Sequence, residues 1–154
     1  MQPGVEVEPF RNIDEIESRK QRFDLIVMDG PPHSTAGTLR MAAAADLVVL
    51  PVDPSIDDLE PSVLLAHELV REGIPKQRLA FVLVRVGNSD IEIAEAVDYL
   101  RDAGYFVLVG SIPERTAFRR ASDAGRCLTE TPFDSLNQYA DKLAQATMNK
   151  LHMR

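Results

Sequence analysis

Asp29 closes an apolar run, Phe23-Asp24-Leu25-Ile26-Val27-Met28, and the corner Gly30-Pro31-Pro32 follows at once. A carboxylate at the carboxyl end of a buried parallel strand stands where open α/β sheets bind their ligands. Such an acid can hold Mg²⁺, which favours one or two carboxylates together with phosphate oxygens. Taken alone, the same segment also reads as a plain strand and turn. Three more polar corners follow apolar runs: Val52-Asp53-Pro54-Ser55, Arg85-Val86-Gly87-Asn88 and Ile112-Pro113-Glu114-Arg115. A parallel sheet brings all four corners to one rim. Their prolines also serve chain reversal, because proline fixes φ.

The elements that must position these corners alternate along the chain. Val5-Glu6-Val7 reads as a weak strand, and Ile13 to Gln21 as a helix with Asn12 at its N-cap. Leu25 to Asp29 reads as a strong buried strand, Thr35 to Ala45 as a helix, and Leu47 to Val52 as a second strand. Asp57 or Asp58 caps a helix reaching Arg71, and Leu79 to Val86 forms a third strong strand. A helix from Ser89 to Ala103, a strand from Tyr105 to Val109, and helices over Arg115 to Ala124 and Phe133 to Leu151 complete the order. The strong strands are continuous apolar runs, the pattern of strands covered on both faces. The fold class is therefore α/β: a doubly wound, mainly parallel sheet with helices on both faces and right-handed crossovers.

The 154 residues suit one domain spanning 1–154, with enough chain for a proper core. No apolar stretch approaches the roughly 20 residues of a membrane helix, and the N-terminus has no secretory pattern. The lone Cys127 excludes an internal disulfide framework, fits a reducing cytoplasm, and reads as a small buried apolar residue. The three histidines lack ligand spacing, so no zinc site is expected. A net charge of −7 argues against an evenly basic nucleic-acid binder but permits a local basic patch.

The order of these motifs resembles the ParA/MinD family of deviant-Walker P-loop ATPases, and among them the plasmid-partition ParA proteins. Residues Phe23 to Pro32 match the family strand ending in Asp-Gly-Pro-Pro, and Ala44 to Val52 match its "AADLVLIPV" stretch. Leu79 to Asn88 take the place of the strand entering the adenine pocket. Ile112-Pro113-Glu114-Arg115, Ala121, Gly125-Arg126 and Glu130 follow the late family pattern. The resemblance implies ATP and Mg²⁺ as cofactors, Asp29 as the acid on the Mg²⁺ side, and Val84, Arg85 and Pro113 on the adenine side. Val84 stands where relatives often carry a polar residue that reads the base. It also implies DNA contact without sequence preference, for which Arg115, Arg119, Arg120 and Arg126 are the candidates. From Glu114 to Arg126 these four arginines face only Glu114 and Asp123. A solvated helix face with i,i+4 pairs explains the same stretch.

The family's chemistry begins at a glycine-rich P-loop whose backbone N–H groups cradle phosphate and whose lysine meets its charge. The sequence contains no such motif, G-x-x-x-x-G-K-[ST] or deviant, so the resemblance covers the C-terminal two-thirds of a ParA-like protein. The chain is accordingly expected to be an incomplete P-loop NTPase-like fold and not a competent ATPase alone. In the family the P-loop strand lies beside the strand ending at Asp29. Without it, that strand is expected to pair directly with the Leu47 strand, or to exchange strands between copies. A homo-oligomer or strand-exchanged dimer follows, with a ParB-like adaptor, an intact ParA or DNA as further partners and no membrane. One alternative is a catalytically silent interaction module on the same fold. Another, a receiver-like phosphoacceptor, fits poorly: Glu6 and Glu8 are weak substitutes for its acidic pair, and residues 112–115 hold no lysine.

Overall fold

The computed structural model describes residues 6–10, 12–30 and 36–153. Among them, strands β1 (Val48–Val52), β2 (Leu79–Val86) and β3 (Phe106–Pro113) form one parallel sheet in the order β1-β2-β3. Helices α1 (Ile13–Arg19) and α2 (Ala36–Ala44) precede the sheet. Helix α3 (Ile56–Arg71) joins β1 to β2, and α4 (Asp90–Asp102) joins β2 to β3. Helices α5 (Thr116–Asp123) and α6 (Asp134–His152) follow. No helix among the described residues is long and apolar enough to cross a membrane.

The α/β class and the helices on both faces follow from how β2 is dressed. Leu79, Phe81 and Leu83 point into a core built with Leu59, Val63, Ala66 and Leu69 of α3 and Ala96 and Leu100 of α4. Ala80 and Val82 point the other way, into a smaller cluster with Leu108 and Leu143 of α6. Both alternating sets are buried, so the sequence of β2 is an unbroken apolar run. The two crossover helices share one face, as successive crossovers of one hand along this strand order require. At the centre, Phe81 packs edge-on to Tyr105, with ring centroids 5.5 Å apart. The Tyr105 hydroxyl meets His67 Nδ1 at 2.6 Å. Burial pushes the Tyr105 phenol above its usual range.

Local chemistry sets the boundaries. The Asn12 side chain accepts from the Glu15 backbone N–H, as expected for the cap of α1. Ser89 caps α4 in the same way, accepting from Glu92. Helix α3 starts earlier than expected: Ser55, not Asp57 or Asp58, is its N-cap. The reason is a tight turn in which the Ser55 N–H donates to Asp53 Oδ1 at 3.0 Å, fixing Ser55 in extended geometry just ahead of the helix. Strand β3 runs to Pro113, four residues beyond the expected end, because a register shift opposite β2 carries it past Gly110. Gly110 has φ +105, a backbone conformation that glycine adopts without strain, so glycine permits the bend. Cys127 is exposed rather than buried, at the head of a short 3₁₀ turn (Leu128–Glu130).

The largest departure concerns residues 25–29. They belong to no strand, and Leu25 and Val27 are 51% and 84% exposed. Apolar alternation states what a segment prefers to bury, but a strand also needs a neighbour for its backbone groups. No described strand supplies one. Among the described residues the expected direct pairing with β1 is not formed either, and β1 is an edge strand. Glu6 and Val7 of the expected first strand are likewise unpaired, while Val5 lies outside the described residues. On β1, Val48, Leu50 and Val52 face the main core, whereas Val49 is 37% exposed on the other side. An open edge beside uncovered apolar residues favours association. Edge pairing of two copies is expected to be weak, visible in size-exclusion chromatography with light scattering only at the highest protein concentrations and in high salt, and Val49→Lys is expected to abolish it. A monomer at every concentration would remove this contact.

Candidate functional site

The carboxyl ends of the three strands meet at one rim. At the end of β1, Asp53 and Asp58 of α3 both reach Arg85 of β2. Arg85 Nε lies 3.4 Å from Asp53 Oδ2, and its Nη2 lies 3.2 Å from Asp58 Oδ2. Among the described residues, Arg85 is the one non-glycine with positive φ, at +54. That left-handed backbone is unfavourable for a side chain with a Cβ, and such outliers gather at functional sites. Here the two carboxylates and the strand pairing on either side hold it. The chain leaving β3 is tied back to β2 by the Glu114 N–H, which donates to the Val86 carbonyl at 3.0 Å. Arg115 then bridges two corners, donating from Nη2 to Asn88 Oδ1 at 2.6 Å and from Nη1 to the Glu114 carbonyl at 2.8 Å.

Between these corners lies a cleft of about 340 Å³, bounded by Val84, Arg85, Ile112 and Pro113 on the sheet side and by Glu114, Arg115, Phe118 and Arg119 on the α5 side. The cleft joins residues expected to serve two different purposes. Val84, Arg85 and Pro113, from the adenine side, and Arg115 and Arg119, from the DNA set, line the same space. Helix α5 explains the second group: Phe118 and Ala121 turn inward as its apolar stripe, which leaves Arg119 and Arg120 exposed. Arg120 and Arg126 are exposed but do not line the cleft.

Asp29 stands apart. It is exposed and makes no hydrogen bond or ion pair with another described residue. The adjoining Gly30 rests against Met41 of α2, where an added Cβ would lie 3.5 Å from Met41 Cε. Pro31 and Pro32 lie outside the described residues. Sequence reading missed the carboxylate partners of Arg85 and the Asn88–Arg115 bridge. Asp53, Asp58 and Asn88 occur beside helix caps, where a capping role explains them equally well.

Chemically, Val84, Ile112, Pro113 and Phe118 can receive a flat ring, and Arg119, which no described carboxylate pairs, can meet an anion. The donor set does not fit a triphosphate: no glycine-rich array of backbone amides lines the cleft.

No family model matches the chain. It is 30% identical over 139 residues to the chromosome-partitioning ATPase Soj of Thermus thermophilus, across 86% of this chain and 56% of Soj. It is 32% identical over 114 residues to the chromosome partitioning protein ParA of Myxococcus xanthus, across 67% of this chain and 40% of that protein. The chain thus spans about half the length of the curated relatives it matches. Among solved structures, the cell division ATPase MinD of Pyrococcus furiosus superposes with a TM-score of 0.71 at 26% identity, over 88% of this chain and 56% of MinD. The MinD cell division protein of Aquifex aeolicus superposes at 0.69 over 89% of this chain and 58% of its own length; at 16% identity it speaks for the fold alone.

Proposed function

Because the chain belongs to the ParA/MinD family of P-loop ATPases, corresponding to a part of it, we propose that it serves DNA segregation as a ParA-like partition protein that is not a competent ATPase by itself. The observation that carries this reading is the shared cleft: apolar rim residues and unspent guanidinium charge meet at the carboxyl end of a parallel sheet, in a sequence without a phosphate-binding loop. In this reading Val84, Arg85 and Pro113 form a weak base-side surface. Arg115 and Arg119 contact DNA phosphates, with Arg120 and Arg126 extending the positive surface along α5. Asp29 takes up its Mg²⁺-side role only where phosphate is supplied by other groups. The cytoplasm is its place of action, and a ParB-like adaptor is its partner protein.

The DNA contact is tested by fluorescence anisotropy with a mixed-sequence duplex over a salt series. Log K is expected to fall linearly with log salt, and each arginine removed from a phosphate lowers the slope by about 0.9. Arg115→Ala with Arg119→Ala is therefore expected to reduce the slope by about 2, equally for duplexes of any sequence. An unchanged slope, or no binding at low salt, contradicts the DNA role.

A second reading, a silent interaction module binding an intact ParA, draws on the open β1 edge and the exposed Leu25 and Val27. Calorimetric titration separates the two. Retained binding to an intact ParA with neither nucleotide nor DNA binding supports the module.

A further inference from the structure

On the face of the sheet away from α3 and α4, β3 and α6 enclose a groove of about 450 Å³. Phe106, Leu108 and Val109 provide its apolar lining, and Lys142 and Lys150 its charge. Phe106 is 40% and Val109 60% exposed, a poor arrangement for apolar residues that meet only water. Lys150 Nζ sits 4.3 Å from the centre of the Phe106 ring, while the Lys142 stem lies against Gly110 at the bend of β3. Neither lysine has a carboxylate partner among the described residues.

The complementary surface occurs on the same molecule. Helix α4 exposes Asp90, Glu92, Glu95, Asp98 and Asp102 against one guanidinium, Arg101. None of these five carboxylates joins an ion pair with a described residue, whereas Asp58 and Glu68 of neighbouring α3 do. Ile91, one turn ahead of Glu95, is 73% exposed. The spacings match as well. Lys142 and Lys150 are separated by a helical rise of ~12 Å, and Glu95 and Asp102 share one face at a separation of ~10.5 Å.

We propose that the β3–α6 groove receives α4 of a second copy of this chain, with Ile91 against Phe106, Glu95 facing Lys150 and Asp102 facing Lys142. Groove and helix lie on opposite faces of the sheet, so the contact is not self-complementary. Each bound pair keeps one free groove and one free α4, so the association runs head to tail and can continue beyond two copies. This contact is independent of the rim cleft and of the β1 edge.

Sedimentation velocity on the intact chain tests it. At about 0.05 M salt the average mass is expected to rise with concentration beyond that of a dimer, and at about 0.5 M salt to fall back to the 17.1 kDa monomer as screening shortens the reach of the charges. Lys142→Glu with Lys150→Glu, and separately Glu95→Lys with Asp102→Lys, are each expected to stay monomeric at low salt. Mixing the two variants is expected to restore association. Glu95, Asp102 and Lys142 are exposed and Lys150 is half-buried, and circular dichroism checks that each variant folds. A mass indifferent to salt or to the reversals, or a mixture that stays monomeric, overturns the proposal. Association abolished by Val49→Lys and untouched by the reversals also overturns it, assigning the contact to the sheet edge without bearing on the partition reading.

Discussion

Mixed with ATP and Mg²⁺, this chain is expected to release phosphate at the rate of buffer alone, and Asp29→Ala to leave that rate unchanged. Phosphoryl transfer depends on positioning the phosphates and stabilising their charge, a task of amide cradles, lysine and metal. Loss of even one well-placed donor to a developing charge costs about 10²–10³ in rate elsewhere. Here the amide cradle has no counterpart in the sequence, and Asp29 has no polar partner among the described residues. What remains is a base-sized cleft in which Val84 offers no hydrogen bond to a purine edge. Nucleotide binding by these residues is expected to be weaker than about 1 mM, or about 4 kcal/mol. Phosphate-release assays and calorimetry check both statements. Turnover above background that Asp29→Ala abolishes would overturn them.

The second large effect concerns stability. Phe81 is fully buried at the centre of β2, in register with Leu50 of β1 and Val107 of β3 and edge-on to Tyr105. Phe81→Ala empties the place where both helices of the main core converge, and is expected to cost about 3–5 kcal/mol. A native domain is typically stable by about 5–15 kcal/mol, so the variant should be close to unfolding at ambient temperature. Urea denaturation followed by circular dichroism measures the loss. Leu64→Ala serves as the comparison: Leu64 is 62% exposed on α3, and its change should stay within about 0.5 kcal/mol. A Phe81→Ala cost near that of Leu64→Ala would show that the sheet is not the stabilising unit.

The legible parts of the sequence were those whose signal is local. Strand β2 announced both its ends because every residue from Leu79 to Leu83 is buried, whichever face it points to. Asn12 and Ser89 announced their helices because a cap acts on backbone N–H groups only a few residues away. Residues 25–29 misled for the opposite reason. Their apolar pattern depends on a partner strand, and whether one is present cannot be read from the segment itself. The rim was half legible. Its corners were visible as Asp-Pro, Gly-Asn and Pro-Glu-Arg steps, but that Val84, Arg85 and Pro113 line one space with Arg115 and Arg119 was not. That they share one cleft depends on α5, which buries Phe118 and leaves Arg119 exposed beside the strand ends. The positive φ of Arg85 left no trace in sequence, since no glycine or asparagine marks it.

The ion cluster of Arg85 also gives the cleft a polarity. One guanidinium is outweighed by the two carboxylates of Asp53 and Asp58, so the wall near β1 presents hydrocarbon and a residual negative charge. The opposite wall keeps the excess positive field, from Arg119 above all. A ligand with a greasy head and an anionic tail can therefore lie in only one sense, tail toward α5, and the orientation is decided before it arrives.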